Sequence, residues 1–109
     1  MITIKKTGEG YYLAFITNLT EELDRNSCYH IKKELSVVIK PHREITFNLK
    51  GVKLIDNGGL KALQETLELG NLKKCKIRFI NVDPLLSDKI TSIKEKSTHG
   101  NPREEISLS

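Results

Sequence analysis

The chain has 109 residues, 38% of them apolar and 29% charged, with 18 Lys and Arg against 14 Asp and Glu for a formal charge of +4. That size suits one domain with one modest core, and that balance belongs to a folded domain rather than a disordered one. No apolar run approaches the roughly 20 residues that cross a bilayer, and the opening "MITIKK" lacks the apolar centre of a secretory signal, so we expect no membrane insertion and a cytoplasmic location.

Residues 2–6, ITIKK, and 11–17, YYLAFIT, are rich in β-branched and aromatic residues and predict two strands, with the glycines of TGEG between them for a hairpin turn. The polar connection NLTEELDRN follows. Asp24 or Asn26 then offers an N-cap to a first helix reaching Lys40, with Cys28, Ile31, Leu35, Val38 and Ile39 at helical spacing. Pro41 ends it, because the residue before a proline is biased away from helix. EITFNL at 44–49 alternates as a strand, placing Ile45, Phe47 and Leu49 on one face.

The loop KGVKLID leads into the turn Asp56-Asn57-Gly58-Gly59. From Gly59, Leu60, Leu63 and Leu67 step along one face of a second helix; Asn57 reads as its N-cap, and Gly70 and Asn71 as its stop. KIRFINV at 76–82 is the next strand. Pro84 opens a third helix over LLSDKITSIKEK, with Leu86, Ile90 and Ile93 as its stripe. The domain so defined is 1–96; residues 97–109 form a polar tail, in which EISLS alternates as a short edge strand.

A hairpin followed by alternating helices and strands implies right-handed parallel crossovers. The fold class is therefore α/β: a mixed β-sheet of about four or five strands, with an N-terminal hairpin and about three helices packed mainly on one face. Ligands and partners of such sheets gather beyond the carboxyl ends of the parallel strands. The 18–26 connection and the Asp56–Gly59 turn both fall at that end.

The remaining chemistry is sparse. Cys28 and Cys75 are too few for a disulfide framework and read as reduced core residues, while His30, His42 and His99 show no ligand spacing, so neither metal nor other cofactor is expected. The basic residues are scattered and interleaved with acids, with no aromatic stacking set, and read as water-facing rather than as a nucleic-acid surface. No nucleophile–base pair or paired carboxylates mark an enzyme. A glycine turn before a helix attracts anions, which keeps a nucleotide- or anion-binding domain as an alternative. The Lys and Ser/Thr of a Walker loop are absent, however, since LKAL follows Gly59.

The segment ITFNLKGVKLIDNGGLKAL resembles the signature of STAS domains, the fold of bacterial anti-sigma factor antagonists, where Asp-Ser-Ser/Thr-Gly-Leu opens a helix after a strand and short loop. GNLKKCKIRFINVDPLL is similar to the turn, strand and proline-led helix start that follow in that family, and EELDRNSCYHIKKEL to its Glu-Leu-Asp stretch and first helix, so the likeness covers residues 2–95. The resemblance implies a non-enzymatic regulatory interaction module. In such antagonists the Ser or Thr after the Asp is phosphorylated by a partner kinase that is also the anti-sigma factor, and the added charge breaks the complex.

Here that position is Asn57, which has no hydroxyl, so the usual site is not phosphorylated. The implied partner-binding residues are Asp24, Asp56, Asn57, Gly58 and Gly59, and the implied partner is an anti-sigma factor or serine kinase-like protein. The double glycine of DNGGL is shared with the Asp-Thr-Gly-Gly-Leu STAS subunits of ABC lipid-transport systems, which makes a transporter ATPase the alternative partner. The tail is shorter than the family's usual final strand and helix, and the apolar surface this exposes favours a homodimer.

Overall fold

Alternation of apolar and polar residues along the strands decides which side of the sheet is covered. The computed structural model describes residues 2–16 and 22–99. In chain order they form β1 (Ile2–Gly8), β2 (Tyr11–Ile16), β3 (Glu22–Leu23), α1 (Arg25–Val38), β4 (Glu44–Asn48), β5 (Leu54–Ile55), α2 (Asn57–Leu72), β6 (Lys76–Ile80) and α3 (Ser87–His99). β1 pairs antiparallel with β2, and β2, β4 and β6 pair in parallel, giving the order β1-β2-β4-β6.

The register aligns Ile4 with Ala14, Ala14 with Phe47 and Phe47 with Phe79; Tyr12, Ile45 and Ile77 form the neighbouring row. Because side chains alternate between faces, both rows lie on one side. There they join a single apolar cluster with Cys28, Ile31 and Leu35 of α1, Ala62, Leu63 and Leu67 of α2, and Leu86, Ile90 and Ile93 at α3. The helices pack on that face. At its centre the Phe47 and Phe79 rings meet with centroids 5.7 Å apart.

The expected α/β fold with its hairpin, mixed sheet and three helices is present. One feature was not legible in the strand pattern. The connections NLTEELDRN and KGVKLID each hold a two-residue strand, and these, β3 and β5, pair in parallel as a separate small sheet. Their shortness hides them: two residues cannot show an alternation.

Element ends also differ for physical reasons. α1 stops at Val38, since Ile39 is already extended while its N–H still donates to Leu35 O. β6 stops at Ile80 because Asn81 turns left-handed, with φ 55. α3 starts at Ser87 rather than Pro84, after a turn in which Asp83 Oδ1 accepts from Leu85 N at 2.9 Å. It then runs on to His99, past the expected start of the polar tail, and Ser97 is buried with its hydroxyl donating to Lys94 O. The expected EISLS edge strand lies outside the described residues.

The end of α2 overturns the reading of Gly70 and Asn71 as a stop. Both residues are helical. The true terminator is Lys74, left-handed with φ 59, flanked by Lys74 N→Asn71 O (3.2 Å) and Cys75 N→Gly70 O (2.8 Å). This pair of bonds is a Schellman motif with lysine at the position usually held by glycine. Gly70 is small for another reason: a Cβ there meets Ile77 Cδ1 at 2.8 Å and Cys75 O at 3.0 Å. Gly70→Ala is therefore expected to cost about 1–3 kcal/mol through overpacking, read as a lower midpoint in urea unfolding.

Candidate functional site

Two strand-to-helix corners lie side by side at the carboxyl ends of the parallel strands. β3 and β5 align Glu22 with Leu54 and Leu23 with Ile55. Each is followed at once by an aspartate in extended conformation, and then by a helix. Asp24 Oδ1 accepts from Ser27 N at 2.8 Å and caps α1; Asp56 Oδ1 accepts from Gly59 N at 2.6 Å and caps α2. Asp56 N in turn donates to Leu23 O at 3.2 Å, tying one corner to the other.

The α2 cap is thus Asp56 rather than Asn57. Both residue types are good caps, and the choice follows from where the β5 ladder ends: Asp56 is the last residue in extended conformation, and its carbonyl accepts the first helical bond, from Leu60 N at 2.9 Å. Asn57 becomes the first helical residue, with its side chain exposed. Asp24, one of two candidates for the α1 cap, takes that role.

Gly58 and Gly59 are helical too, and their glycine requirement comes from packing. A Cβ on Gly59 meets Ile55 Cγ2 at 2.9 Å, Cys28 Sγ at 3.0 Å and Leu23 O at 3.0 Å; one on Gly58 meets Arg25 Cβ at 2.9 Å. The first turn of α2 sits directly on the first turn of α1. All five sequence-selected residues lie at one corner, where Asp24, Asp56 and Asn57 are exposed, Gly58 is half-buried and Gly59 is buried. The Asp56 carboxylate takes the Gly59 amide, one of the donors at this helix start.

Beneath the corner lies Cys28, fully buried. Burial first, then the charges of Asp56 and Asp24, push its thiol up to about 12, so it stays protonated and unreactive at neutral pH. Asp24 is displaced the other way: the Ser27 backbone N–H, then the Ser27 hydroxyl, hold its carboxyl below the usual aspartate range.

Sequence reading missed the surface beside Asn57. An open groove of about 420 Å³ runs from it between α2 and α3, lined by Lys61 and Gln64 on one side and Lys89, Ser92 and Lys96 on the other. Its only trace in the sequence is the helical spacing of Lys89, Ser92 and Lys96. Leu54, next to the corner, is 52% exposed despite its apolar side chain.

Comparison with known proteins agrees with this architecture. A family model described as the STAS domain matches residues 5–97. Searching curated proteins found no match. Among solved structures, the chain is similar to "Crystal Structure Analysis of Mglu", with TM-score 0.65 and 13% identity over 77% of this chain, which spans only 20% of that one. It is also similar to the anti-sigma factor antagonist SpoIIAA in its unphosphorylated form, with TM-score 0.63 and 14% identity over 81% of this chain and 79% of that one. The Bacillus cell fate determinant SpoIIAA in the phosphorylated form gives TM-score 0.60 and 14% identity over 99% and 98% of the two chains. At such identities the likeness is one of fold.

Two outcomes are expected at the corner. Gly59→Ala lowers stability by about 1–3 kcal/mol, while Asn57→Ser, at an exposed position, changes it by less than about 0.5 kcal/mol; chemical denaturation of both variants compares them. For Asp24 the folded pKa lies below the unfolded one, so its contribution is present above the ordinary aspartate pKa and is lost as pH falls through the depressed value. Asp24→Asn keeps a capping side chain and should flatten that part of the acid limb in thermal melts recorded against pH.

Proposed function

The chain belongs to the STAS domain family, and from that premise we propose that it is a regulatory protein–protein interaction module of the anti-sigma factor antagonist type. Its partner binds at Asp24, Asp56, Asn57, Gly58 and Gly59. The observation that carries this reading is the exposed Asn57 at the first turn of α2, directly after the capping Asp56 and where the family pattern has its phospho-acceptor.

An amide there is neutral and cannot be esterified. A phosphate would add about −1.5 to −2 charges beside two carboxylates, in a surface that a partner must desolvate. Asn57 holds the surface in its uncharged form, so control by phosphorylation at this residue is lost and binding is constitutive. No motif marks Ser27, whose amide donates to Asp24, as a substitute acceptor. Asp24 and Asp56 act as caps and recognition charges, not as acids or bases, which supports binding rather than catalysis. Two free buried thiols favour a cytoplasmic setting.

SpoIIAA, the structural neighbour described as an anti-sigma factor antagonist, supports a partner of the anti-sigma factor or serine kinase type. A second reading, with a transporter ATPase as partner, is favoured by the Gly58-Gly59 pair.

The test is a pull-down from a lysate of the native organism with wild type, Asn57→Asp and Asn57→Ser as baits. We expect the wild type and Asn57→Ser to retain one kinase-like protein, or an ATPase on the second reading, and Asn57→Asp to lose it by about tenfold or more, as like charge at a buried contact costs several kcal/mol. Equal capture by all three baits, or by none, overturns the proposal.

A further inference from the structure

The basic residues that look scattered in sequence are gathered by the fold. α1 and α2 both start at the Asp24/Asp56 corner and run to the opposite end of the sheet, where their exits are knitted together. His42 N donates to Lys74 O at 3.1 Å, Lys76 N to Arg43 O at 2.9 Å, and Glu44 N to Gly10 O at 2.8 Å. His42, Arg43, Lys74 and Lys76 line one open cavity there with Tyr11.

Five permanent cations sit on these turns: Lys40, Arg43, Lys73, Lys74 and Lys76. Two carboxylates oppose them. Glu9 is held by Lys6 at 3.1 Å, and Glu44 is 3.9 Å from Lys76. Among the described residues no carboxylate pairs with Lys40, Lys73 or Lys74.

Lysines near helix ends are explained in part by the negative pole of the helix, and Arg43, donating to Val38 O at 3.2 Å and stacked 4.9 Å over Tyr12, is such a case. That account does not cover the apolar side chains set among the cations. Leu72, immediately before Lys73-Lys74, is 79% exposed, and Tyr11 is 55% exposed. Isolated exposed leucines are ordinary. Cations interleaved with a projecting leucine and a tyrosine are the chemistry of a surface that meets anionic headgroups above an apolar layer.

We propose that this end of the molecule is a docking face for an anionic phospholipid bilayer, with Lys40, Lys73, Lys74 and Lys76 on the headgroup phosphates and Leu72 and Tyr11 within the headgroup layer. A nucleic-acid backbone matches the charge but offers nothing apolar to Leu72. The contact is peripheral, and no helix of the described residues is long and apolar enough to cross a membrane. Docking in this pose points the Asp24/Asp56 corner away from the bilayer, at the far end of a 16-residue helix about 24 Å long.

The test is co-sedimentation of the full chain with vesicles of phosphatidylglycerol and phosphatidylcholine, against vesicles of phosphatidylcholine alone. Binding is expected to the anionic vesicles only, and to fall with added salt. Lys73→Gln/Lys74→Gln should weaken it by about 25-fold, roughly fivefold per lysine, and Leu72→Ser by about fivefold for the lost apolar contact. All three positions are exposed, and unchanged thermal melts confirm that the variants fold. Equal binding to neutral vesicles, full binding by the lysine variant, full binding by Leu72→Ser, or displacement by polyuridylate at equal phosphate concentration would each overturn the proposal.

Discussion

The close approach of two helix starts is the constraint on which the rest depends. β3 and β5 are only two residues each, yet their parallel pairing sets Asp24 and Asp56 one strand apart and links them through Asp56 N and Leu23 O. With the strands so near, the first turn of α2 has room for hydrogen alone at Gly58 and Gly59. The corner is therefore over-determined: ladder, caps and glycine packing all demand the same placement. The backbone of the corner is thereby held in one arrangement.

That rigidity gives the chemistry of position 57 its weight. The residue stands at a helix N-terminus, where partial positive charge favours anions, but both neighbouring carboxylates are already spent on backbone amides. An added phosphate would stand directly beside the Asp56 carboxylate, which already holds the Gly59 amide. An amide side chain avoids this conflict and leaves α2 capped as before. The same charges reach inward, since Asp56 and Asp24 both help to keep the Cys28 thiol protonated.

The parallel crossovers give the molecule two unlike ends. α1 and α2 begin under acidic caps and are followed by basic turns, and at the end of α1 Arg43 donates to Val38 O, where a cation favours the negative pole. Holding the basic turns in place requires two left-handed non-glycine residues, His42 and Lys74, linked by the bond from His42 N to Lys74 O. Such conformations persist where the surroundings enforce them, and here the three parallel strands beginning side by side do so.

Much was legible in the sequence because it is written in local periodicity. Alternation over ITIKK, EITFNL and KIRFINV, and the helical stripes through Cys28–Ile39, Leu60–Leu67 and Leu86–Ile93, determined the order of elements, the covered face and the family pattern. The Asp-Asn-Gly-Gly turn marked one of the two corners that the small sheet brings together. Tertiary structure alone decided what that turn's residues do. Asp56 caps instead of Asn57 because the β5 ladder ends there; Gly58 and Gly59 are small because Arg25, Leu23 and Cys28 lie against them; α2 passes Gly70 because Lys74 supplies the terminating turn. The gathering of Lys40, Arg43 and Lys73–Lys76 at one end is likewise invisible along the chain. Periodicity records which face a residue shows, but which residues meet across thirty positions is settled only by strand pairing and helix packing.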